Sequence, residues 1–391
     1  MKGCDGMKVG LSTSVIQRGK SGVGQYVLAL TRALLSASSP LPLTLFVLEE
    51  DLPLFQFAQE RATIVPVPER YRTPSMNILW HQFILPKLAR RLELSVLHVP
   101  TYRRLLWPHP CRLVATIHDL APFRLAKKYD RRRMAYGRFM VRRLAPRQDE
   151  IIAVSAHTAG EISAQTRLPR HRVTVIHNGI DHDRFFPEAS NAARASVAQR
   201  YGLRDPYFLY VARIEHPAKN HLRLIQAFEL FKKEARSRWQ LVFAGSDWDG
   251  AAAVHQAARN SPFADSIHSL GFVADPFLPA LYQAADIFVY PSLYEGFGIP
   301  PVEAMACGCP VICSDRGALG EVVGEAAAII DPENPTTLQW QMTRFATDPM
   351  LRSGWRQAGL ERAKRFDWHR TAASTLEVYR RATTTPMVAH N

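Results

Sequence analysis

Four groups of side chains in this sequence have the types and spacing to handle a ligand. The first is YEGFGIPPVEAM, residues 294 to 305, where Glu295 and Glu303 bracket two glycines and two prolines. Carboxylates so spaced fit an acid/base couple, and fit equally well a pair of acceptors for sugar hydroxyls. The segment follows the strand-like run DIFVYPS, so Glu295 lies in a strand-to-helix loop. Gly296 and Gly298 remove side chains and leave backbone N–H groups free to approach a polyhydroxylated or anionic ligand. Pro300 and Pro301 set up a helix, with Pro301 suited to its first position. Glu303 then falls in the first turn, where the helix dipole favours a carboxylate, so taken alone it also reads as a helix-start charge.

The second group is in VARIEHPAKNHLRLIQAF, residues 211 to 228. Arg213 ends the run YFLYVA and Lys219 precedes a helix-like stretch. Two cations at a strand mouth beside a helix N-terminus suit a diphosphate. The third is SGVGQY, residues 21 to 26, where Gly22 and Gly24 offer a phosphate loop before QYVLALTRALL. No Gly-Lys-Ser/Thr follows, and Val27 replaces the third glycine of a dinucleotide fingerprint. The fourth is TIHDLAP, residues 116 to 122, with His118 and Asp119 at a strand end, where histidine is more often structural than catalytic. Asp181–Asp183 and Asp247–Asp249 have the form of metal-binding pairs, but both suit turns and caps. Nothing near either completes a Mg²⁺ site, so no metal is expected.

All four groups need strands to carry them. Short apolar, β-branched runs recur with helix-like stretches between them: KVGLSTS, LTLFVLE, VLHVP, LVATIHD, EIIAVS and VTVIHNG, then YFLYVARI, QLVFAG, SIHSLGFV, DIFVYPS, PVICSD and AAIIDP. Runs apolar on both faces, separated by helices, indicate parallel sheets covered by helices. The chain of 391 residues exceeds what one core comfortably serves, so the pattern implies two doubly wound α/β domains. Their junction falls near HNGIDHDRFFPEAS, which puts residues 1–184 in one and 185–367 in the other. Ligands of such sheets bind outside the carboxyl ends of the strands, where all four groups sit.

The composition bounds the setting. No window resembles a membrane-spanning helix and no secretory signal is evident, while Cys4, Cys111, Cys307, Cys309 and Cys313 are too few and too badly spaced for a zinc site or a disulfide framework. Cys307, Cys309 and Cys313 read as small apolar filler on a helix and the following strand, and the set as a whole fits a reducing cytosol. The net charge of +14 is concentrated between Arg124 and Arg147, where ten cations face only Asp130. Arg131, Arg132, Arg133, Arg142 and Arg143 are interleaved there with Met134, Tyr136, Phe139, Met140, Val141 and Leu144. A helix of this kind suits an anionic membrane surface, a nucleic acid, or solvent alone.

Taken together these motifs resemble the retaining nucleotide-sugar glycosyltransferases of family 4, across nearly the whole chain. The resemblance runs through SGVGQY, HDLAPF, VSAHT, VIHNGID, ARIEHPAKNHLRLIQAF, LVFAG, GFV at 271 to 273, and SLYEGFGIPPVEAMACGCPVICSD followed by ALGEVVGEAA. The Glu295–Glu303 spacing is its most specific element. It implies the GT-B architecture, two Rossmann-like domains facing each other across a cleft, with a C-terminal helix, residues 368–384, packing back on the N-terminal domain. That domain would bind the acceptor and the other the nucleotide sugar.

By position, the resemblance assigns Arg213 and Lys219 to the donor diphosphate and Gly22 and Gly24 to a loop closing on the phosphates. It places Glu295, Gly296, Phe297 and Gly298 on the donor sugar, Glu303 on the ribose, Phe272 and Val273 around the nucleobase, and His118 against the sugar near the reacting carbon. The implied reaction retains anomeric configuration without a metal or other cofactor. IEHPAKN belongs to a subset similar to bacterial exopolysaccharide mannosyltransferases. That subset implies α-mannosyl transfer from GDP-mannose to a polyprenyl-diphosphate-linked saccharide, in exopolysaccharide or O-antigen synthesis. The enzyme would sit in the cytoplasm against the anionic inner face of the membrane, with Arg131, Arg132, Arg133, Arg142 and Arg143 docking it and no nucleic acid involved. The alternatives are a UDP-sugar donor, a nucleic-acid-binding protein suggested by charge alone, and a dinucleotide oxidoreductase suggested by the paired sheets.

Overall fold

A computed structural model describes residues 6–37, 41–125, 131–188, 190–203, 206–235 and 237–384. Lys127, Lys128 and Asp130 of the basic run lie outside these residues, as does Cys4. The chain divides into two compact units, residues 1–179 with 368–391, and residues 180–367.

The first unit carries a seven-stranded parallel sheet in the order β3-β2-β1-β4-β5-β6-β7. Its strands are β1 Val9–Ser12, β2 Leu43–Leu48, β3 Thr63–Val67, β4 Val96–Val99, β5 Arg112–Ile117, β6 Glu150–Ala153 and β7 Val173–Val175. The second unit carries six parallel strands in the order β10-β9-β8-β11-β12-β13. These are β8 Tyr207–Val211, β9 Gln240–Ala244, β10 Ile267–Ser269, β11 Ile287–Tyr290, β12 Val311–Ser314 and β13 Ala328–Ile330. Strands β1, β2, β4, β11 and β12 are buried along their whole length, because helices cover both faces of the sheet.

Every run of alternating or continuous apolar residues named above became a strand. The strand not foreseen is β3, TIVPV, in which only Val67 is buried and which holds Pro66. It tolerates proline because it is the edge strand and pairs only with β2.

The order of each sheet reverses direction at one place, between β1 and β4 in the first unit and between β8 and β11 in the second. Chains leaving such neighbours diverge to opposite faces and open a crevice at the carboxyl edge. Arg213 and Lys219 follow β8, and Glu295 follows β11. The sequence therefore delivers these three side chains to the switch point of the second sheet.

The C-terminal helix Trp368–Thr384 belongs to the first unit. Ala372, Leu376, Val378 and Tyr379 join the core formed by Val9, Leu11, Tyr26, Leu45, Val96 and Val114. Burial of one such Leu, Val or Tyr is worth about 1.5–3 kcal/mol. The helix is also fixed by polar contacts, with Arg381 Nε and Nη2 each 2.8 Å from a Glu150 carboxylate oxygen.

The division between units falls before Ile180, so Ile180 to Arg184 belong with the second unit and not, as the residue pattern suggested, with the first. The reason lies in pairing that the local sequence does not reveal. Ile180 bridges Asp367 and donates its N–H to the Phe366 carbonyl, and His182 Nε2 lies 2.9 Å from the same oxygen.

Candidate functional site

In the second unit the loop after β8 and the loop after β11 are tied together. Lys219 Nζ donates to Glu295 Oε1 at 2.5 Å, and Tyr290 Oη donates to the same oxygen at 2.9 Å. Both charged side chains are mostly buried, 13% and 15% exposed. The supports are backbone and amide contacts. Tyr210 Oη donates to the Lys219 carbonyl at 2.6 Å. Asn220, in the left-handed region at φ 61°, donates its amide to the carbonyls of Pro291 and Pro332. Left-handed backbone is rare outside glycine, and asparagine is the residue that best tolerates it.

Glu295 is held from its other side by Gly317. A Cβ on Gly317 would lie 2.2 Å from the Glu295 carbonyl oxygen, and φ there is +67°. Ala318 N–H donates to that same carbonyl at 2.9 Å. Neither Gly317 nor Tyr290 was singled out in the sequence, since each acts through a contact across the fold.

Arg213 sits apart from this pair. Its guanidinium hydrogen-bonds no described residue; Nη2 lies 3.9 Å from Oε2 of buried Glu215, and its Cζ lies 4.7 Å from the centroid of the Trp248 ring. Phe272, on the loop after β10, is 55% exposed, whereas Val273 is buried, so only the first offers a side-chain face to a ligand.

Pro301 does not take the first helical position. The helix runs Ile299–Ala306 from Gly298, whose φ of 94° makes it the N-cap, and no acidic residue occupies its first turn. Glu303 therefore lies two residues deeper than the proline signal suggested, past the first turn, and the helix dipole is not what holds it. Tyr282 Oη donates to Glu303 Oε2 at 2.9 Å. Its surroundings, rather than its position on the helix, set its charge: burial pushes the carboxyl up to about 7, opposed by the Tyr282 hydroxyl and the Arg184 cation.

In the first unit, Gly22 and Gly24 lie inside the first turn of the helix Gly22–Leu35, not in a loop before it. The N-cap is Ser21, whose Oγ accepts the Gly24 N–H at 3.1 Å, so that donor is already spent. Gly24 is required for packing, because a Cβ there would meet the Ile16 carbonyl at 2.5 Å. Gly22 differs: nothing lies within 4 Å of where its Cβ would be, which leaves open space at the helix start.

His118, at the end of β5, is half-buried and held neutral. Burial lowers its pKa to about 4 against the smaller pull of Asp119 and the Pro100 carbonyl. Nε2 lies 3.1 Å from that carbonyl, an acceptor only, so Nε2 carries the proton and Nδ1 presents a lone pair. Tyr26 packs edge-on against the imidazole with centroids 4.7 Å apart. Behind Tyr26 runs a buried chain: its hydroxyl contacts Thr116 Oγ1 at 3.2 Å, Thr116 contacts His98 Nε2 at 2.8 Å, and His98 Nδ1 contacts Tyr379 Oη at 2.7 Å. The C-terminal helix thus reaches the neighbourhood of His118 through hydrogen bonds.

Of the basic segment, Arg131, Arg132, Arg133, Arg142 and Arg143 are all exposed. Met134, Met140 and Val141 are buried, but Phe139, counted with the apolar stripe, faces outward at 55% exposure. The loop from Thr101 to His109 lies between this segment and the helical stretch 74–91. Tyr136 Oη donates to the Arg103 carbonyl, Gln148 to the Leu106 carbonyl, and Gln82 to the Leu105 carbonyl. The large exposed apolar side chains described in the first unit are Leu79, Phe83, Trp107 and Phe139, and all four sit on these three adjoining segments.

No set of three or more His, Cys, Asp or Glu among the described residues is arranged to hold a metal ion. Asp247 accepts from His255 Nε2 at 2.8 Å. Cys307, Cys309 and Cys313 are buried thiols in the Ile299–Ala306 helix end and β12 region. No described helix is long and apolar enough to cross a membrane.

Comparison with known proteins matches residues 20–184 to the model described as Glycosyltransferase Family 4 and residues 196–362 to that described as Glycosyl transferases group 1. The O-antigen chain mannosyltransferase B of Escherichia coli is 30% identical over 96% of this chain and 100% of its own length. The serotype-specific mannosyltransferase WbdA of Escherichia coli is 30% identical over 70% of this chain, which spans only 34% of that longer protein. Among solved structures, Anabaena HepE in complex with UDP and glucose superposes with a TM-score of 0.75 at 17% identity, over 96% of this chain and 100% of that one.

Proposed function

The chain belongs to the family 4 glycosyltransferases with the GT-B architecture, and we propose that it transfers an α-mannosyl residue from GDP-mannose to a polyprenyl-diphosphate-linked saccharide in O-antigen or exopolysaccharide synthesis. The observation that carries the proposal is the arrangement at the β8/β11 switch point, where Arg213, Lys219 and Glu295 come from two loops of one sheet edge. The mannosyl assignment rests on the full-length relative, a mannosyltransferase by name.

In this reading the bond between the anomeric carbon and the phosphate oxygen breaks with its electron pair leaving on the diphosphate. Arg213 and Lys219 meet that developing charge, which is electrostatic stabilisation at the leaving group. The acceptor oxygen attacks from the same face, and its proton passes to the departing phosphate oxygen, so the chain supplies no general base. Glu295 and the backbone of Gly296, Phe297 and Gly298 hold sugar hydroxyls, and Glu303 the ribose. Phe272 takes the nucleobase with its exposed ring and Val273 with its backbone. From the first unit the reading takes the Nδ1 lone pair of His118 for the sugar and the open space at Gly22 for phosphate; Gly24 acts by shaping the turn. Two fixed cations serve where other transferases use a metal, so turnover is expected to survive EDTA.

Purified protein is to be incubated with a panel of nucleotide sugars and bacterial lipid-linked acceptor extract, and the product identified. GDP-mannose as the productive donor supports the reading; transfer from a UDP-sugar alone replaces the donor assignment. Glu295→Gln and Lys219→Ala belong in the same assay, and near-wild-type turnover in both would overturn the site.

The lipid acceptor gives the basic segment its purpose in this proposal: the enzyme docks peripherally on the anionic inner membrane surface. Support comes from the exposed Arg131, Arg132, Arg133, Arg142 and Arg143 beside exposed Phe83, Trp107 and Phe139. Cations near such a surface contribute about 1 kcal/mol each, and aromatic side chains favour the interface. Flotation with phosphatidylglycerol vesicles tests this. Retained binding after neutralising the five arginines would remove the docking assignment, and tighter binding to RNA than to vesicles would replace it.

A further inference from the structure

Arg213 is more constrained than its lack of hydrogen bonds suggests. A guanidinium has five N–H donors in its plane and two open faces. The Arg213 Cζ here lies over the indole of Trp248, 4.7 Å from the ring centroid, while no described residue accepts any of the donors; Glu215 Oε2 is 3.9 Å away. The ring therefore holds the cation in place and leaves its N–H donors unspent.

Trp248 is not where it is because of core packing, since it is 48% exposed. Backbone pairing that continues past the last residues of β8 and β9 delivers it. Ile214 N–H donates to the Ser246 carbonyl at 2.9 Å, Trp248 N–H to the Ile214 carbonyl at 3.0 Å, and His216 N–H to the Asp249 carbonyl at 2.9 Å. The approach is close enough to exclude side chains at two points. A Cβ at Gly245 would lie 1.9 Å from the Ala212 carbonyl oxygen, and one at Gly250, φ +80°, would lie 2.9 Å from the His216 carbonyl oxygen.

We infer that Trp248 is a positioning residue, which holds the Arg213 guanidinium over its ring so that its donors meet the two phosphates of a nucleoside diphosphate. The inference rests on the assignment of Arg213 to the donor diphosphate. Free arginine side chains lose rotamer freedom on binding a ligand, and a side chain already ordered loses less. Trp248 is thus expected to matter for diphosphate affinity only while Arg213 is present.

A double-mutant cycle reads this directly, with dissociation constants for GDP and UDP measured by calorimetry on wild type, Arg213→Ala, Trp248→Ala, Trp248→Phe and the Arg213→Ala/Trp248→Ala double variant. The expectation is a loss of about fivefold to tenfold in Trp248→Ala, within the range for stacked cations. Trp248→Phe should stay within about threefold of wild type, because a smaller ring still supports the cation. The double variant should bind no more weakly than Arg213→Ala. If Arg213→Ala itself binds as wild type does, the diphosphate assignment fails first and the inference with it. If Arg213→Ala is weakened but Trp248→Ala changes nothing, or adds its full loss in the Arg213→Ala background, the clamp stands and the positioning role is overturned. Comparison within the Arg213→Ala background keeps the test valid even where Trp248→Ala lowers stability.

Discussion

At the scale of single residues, Glu303 and the Lys219–Glu295 pair carry the most specific expectations. Glu303 titrates near 7, so around neutral pH it is divided between carboxylic acid and carboxylate. The carboxylate offers both oxygens as acceptors to the hydroxyls of a ribose, whereas the acid turns one of them into a donor and binds more weakly. The donor KM is therefore expected to rise as pH falls through about 7, and Glu303→Gln should give a raised KM that no longer changes across this range. A flat wild-type profile between pH 6 and 8 would separate Glu303 from the ribose. For the pair, removing one partner leaves the other charge mostly buried. Lys219→Ala is expected to cost about 1–3 kcal/mol in urea unfolding, with Lys219→Ala/Glu295→Gln recovering part of it. The identities of these side chains were legible from their places beside glycine, proline and strand ends. Their pairing was not, because Lys219 and Glu295 are 76 positions apart and meet only when two loops of one sheet edge converge.

At the scale of elements, two glycines that look alike in SGVGQY do different work. Gly24 is pressed against the Ile16 carbonyl and the Gly19 backbone, neither of which can move aside as a side chain would. Gly24→Ala is expected to lower stability by more than about 1 kcal/mol. Gly22→Ala meets nothing, and replacing a helical glycine by alanine should leave the melting temperature unchanged or raise it slightly. Any loss of turnover in Gly22→Ala would then report crowding of a ligand, and unaltered turnover would remove Gly22 from the site. Spacing alone showed a strand, a glycine pair and a helix here. It could not show that the helix begins at Gly22 itself, since that depends on the Ser21 cap accepting the Gly24 N–H. The same limit applies to the helix after Glu295, where proline pointed two residues too late and Gly298 provides the cap.

At the scale of the whole molecule, the two-sheet organisation was readable because central parallel strands must be apolar throughout, whereas the edge strand β3 escaped for the opposite reason. The buried polar chain from Tyr379 to Tyr26 was invisible in sequence, and His98 within it is one of the buried groups that set how the first unit responds to acid. In the first unit burial holds His81 and His98 down to about 3 and His118 down to about 4. Unfolded, these histidines take up a proton near 6.5, so the unfolded state binds more protons between that value and the folded ones. Stability is then full above about 6.5 and is lost as pH falls, at up to about 1.4 kcal/mol per pH unit for each fully buried histidine. In the second unit His221, held down to about 3, follows the same rule, but Glu303 opposes it. Its raised pKa means the folded state keeps a proton that the unfolded chain has released, so lowering the pH from about 7 to about 4.5 returns stability. The first unit is accordingly expected to lose protection earlier than the second when pH drops from 7 to 5. Hydrogen exchange of β4 and β5 against β8 and β11 at the two pH values measures the difference, and equal loss in both sheets would refute it. Glu303→Gln removes the opposing group, and should bring the acid response of the second sheet toward that of the first.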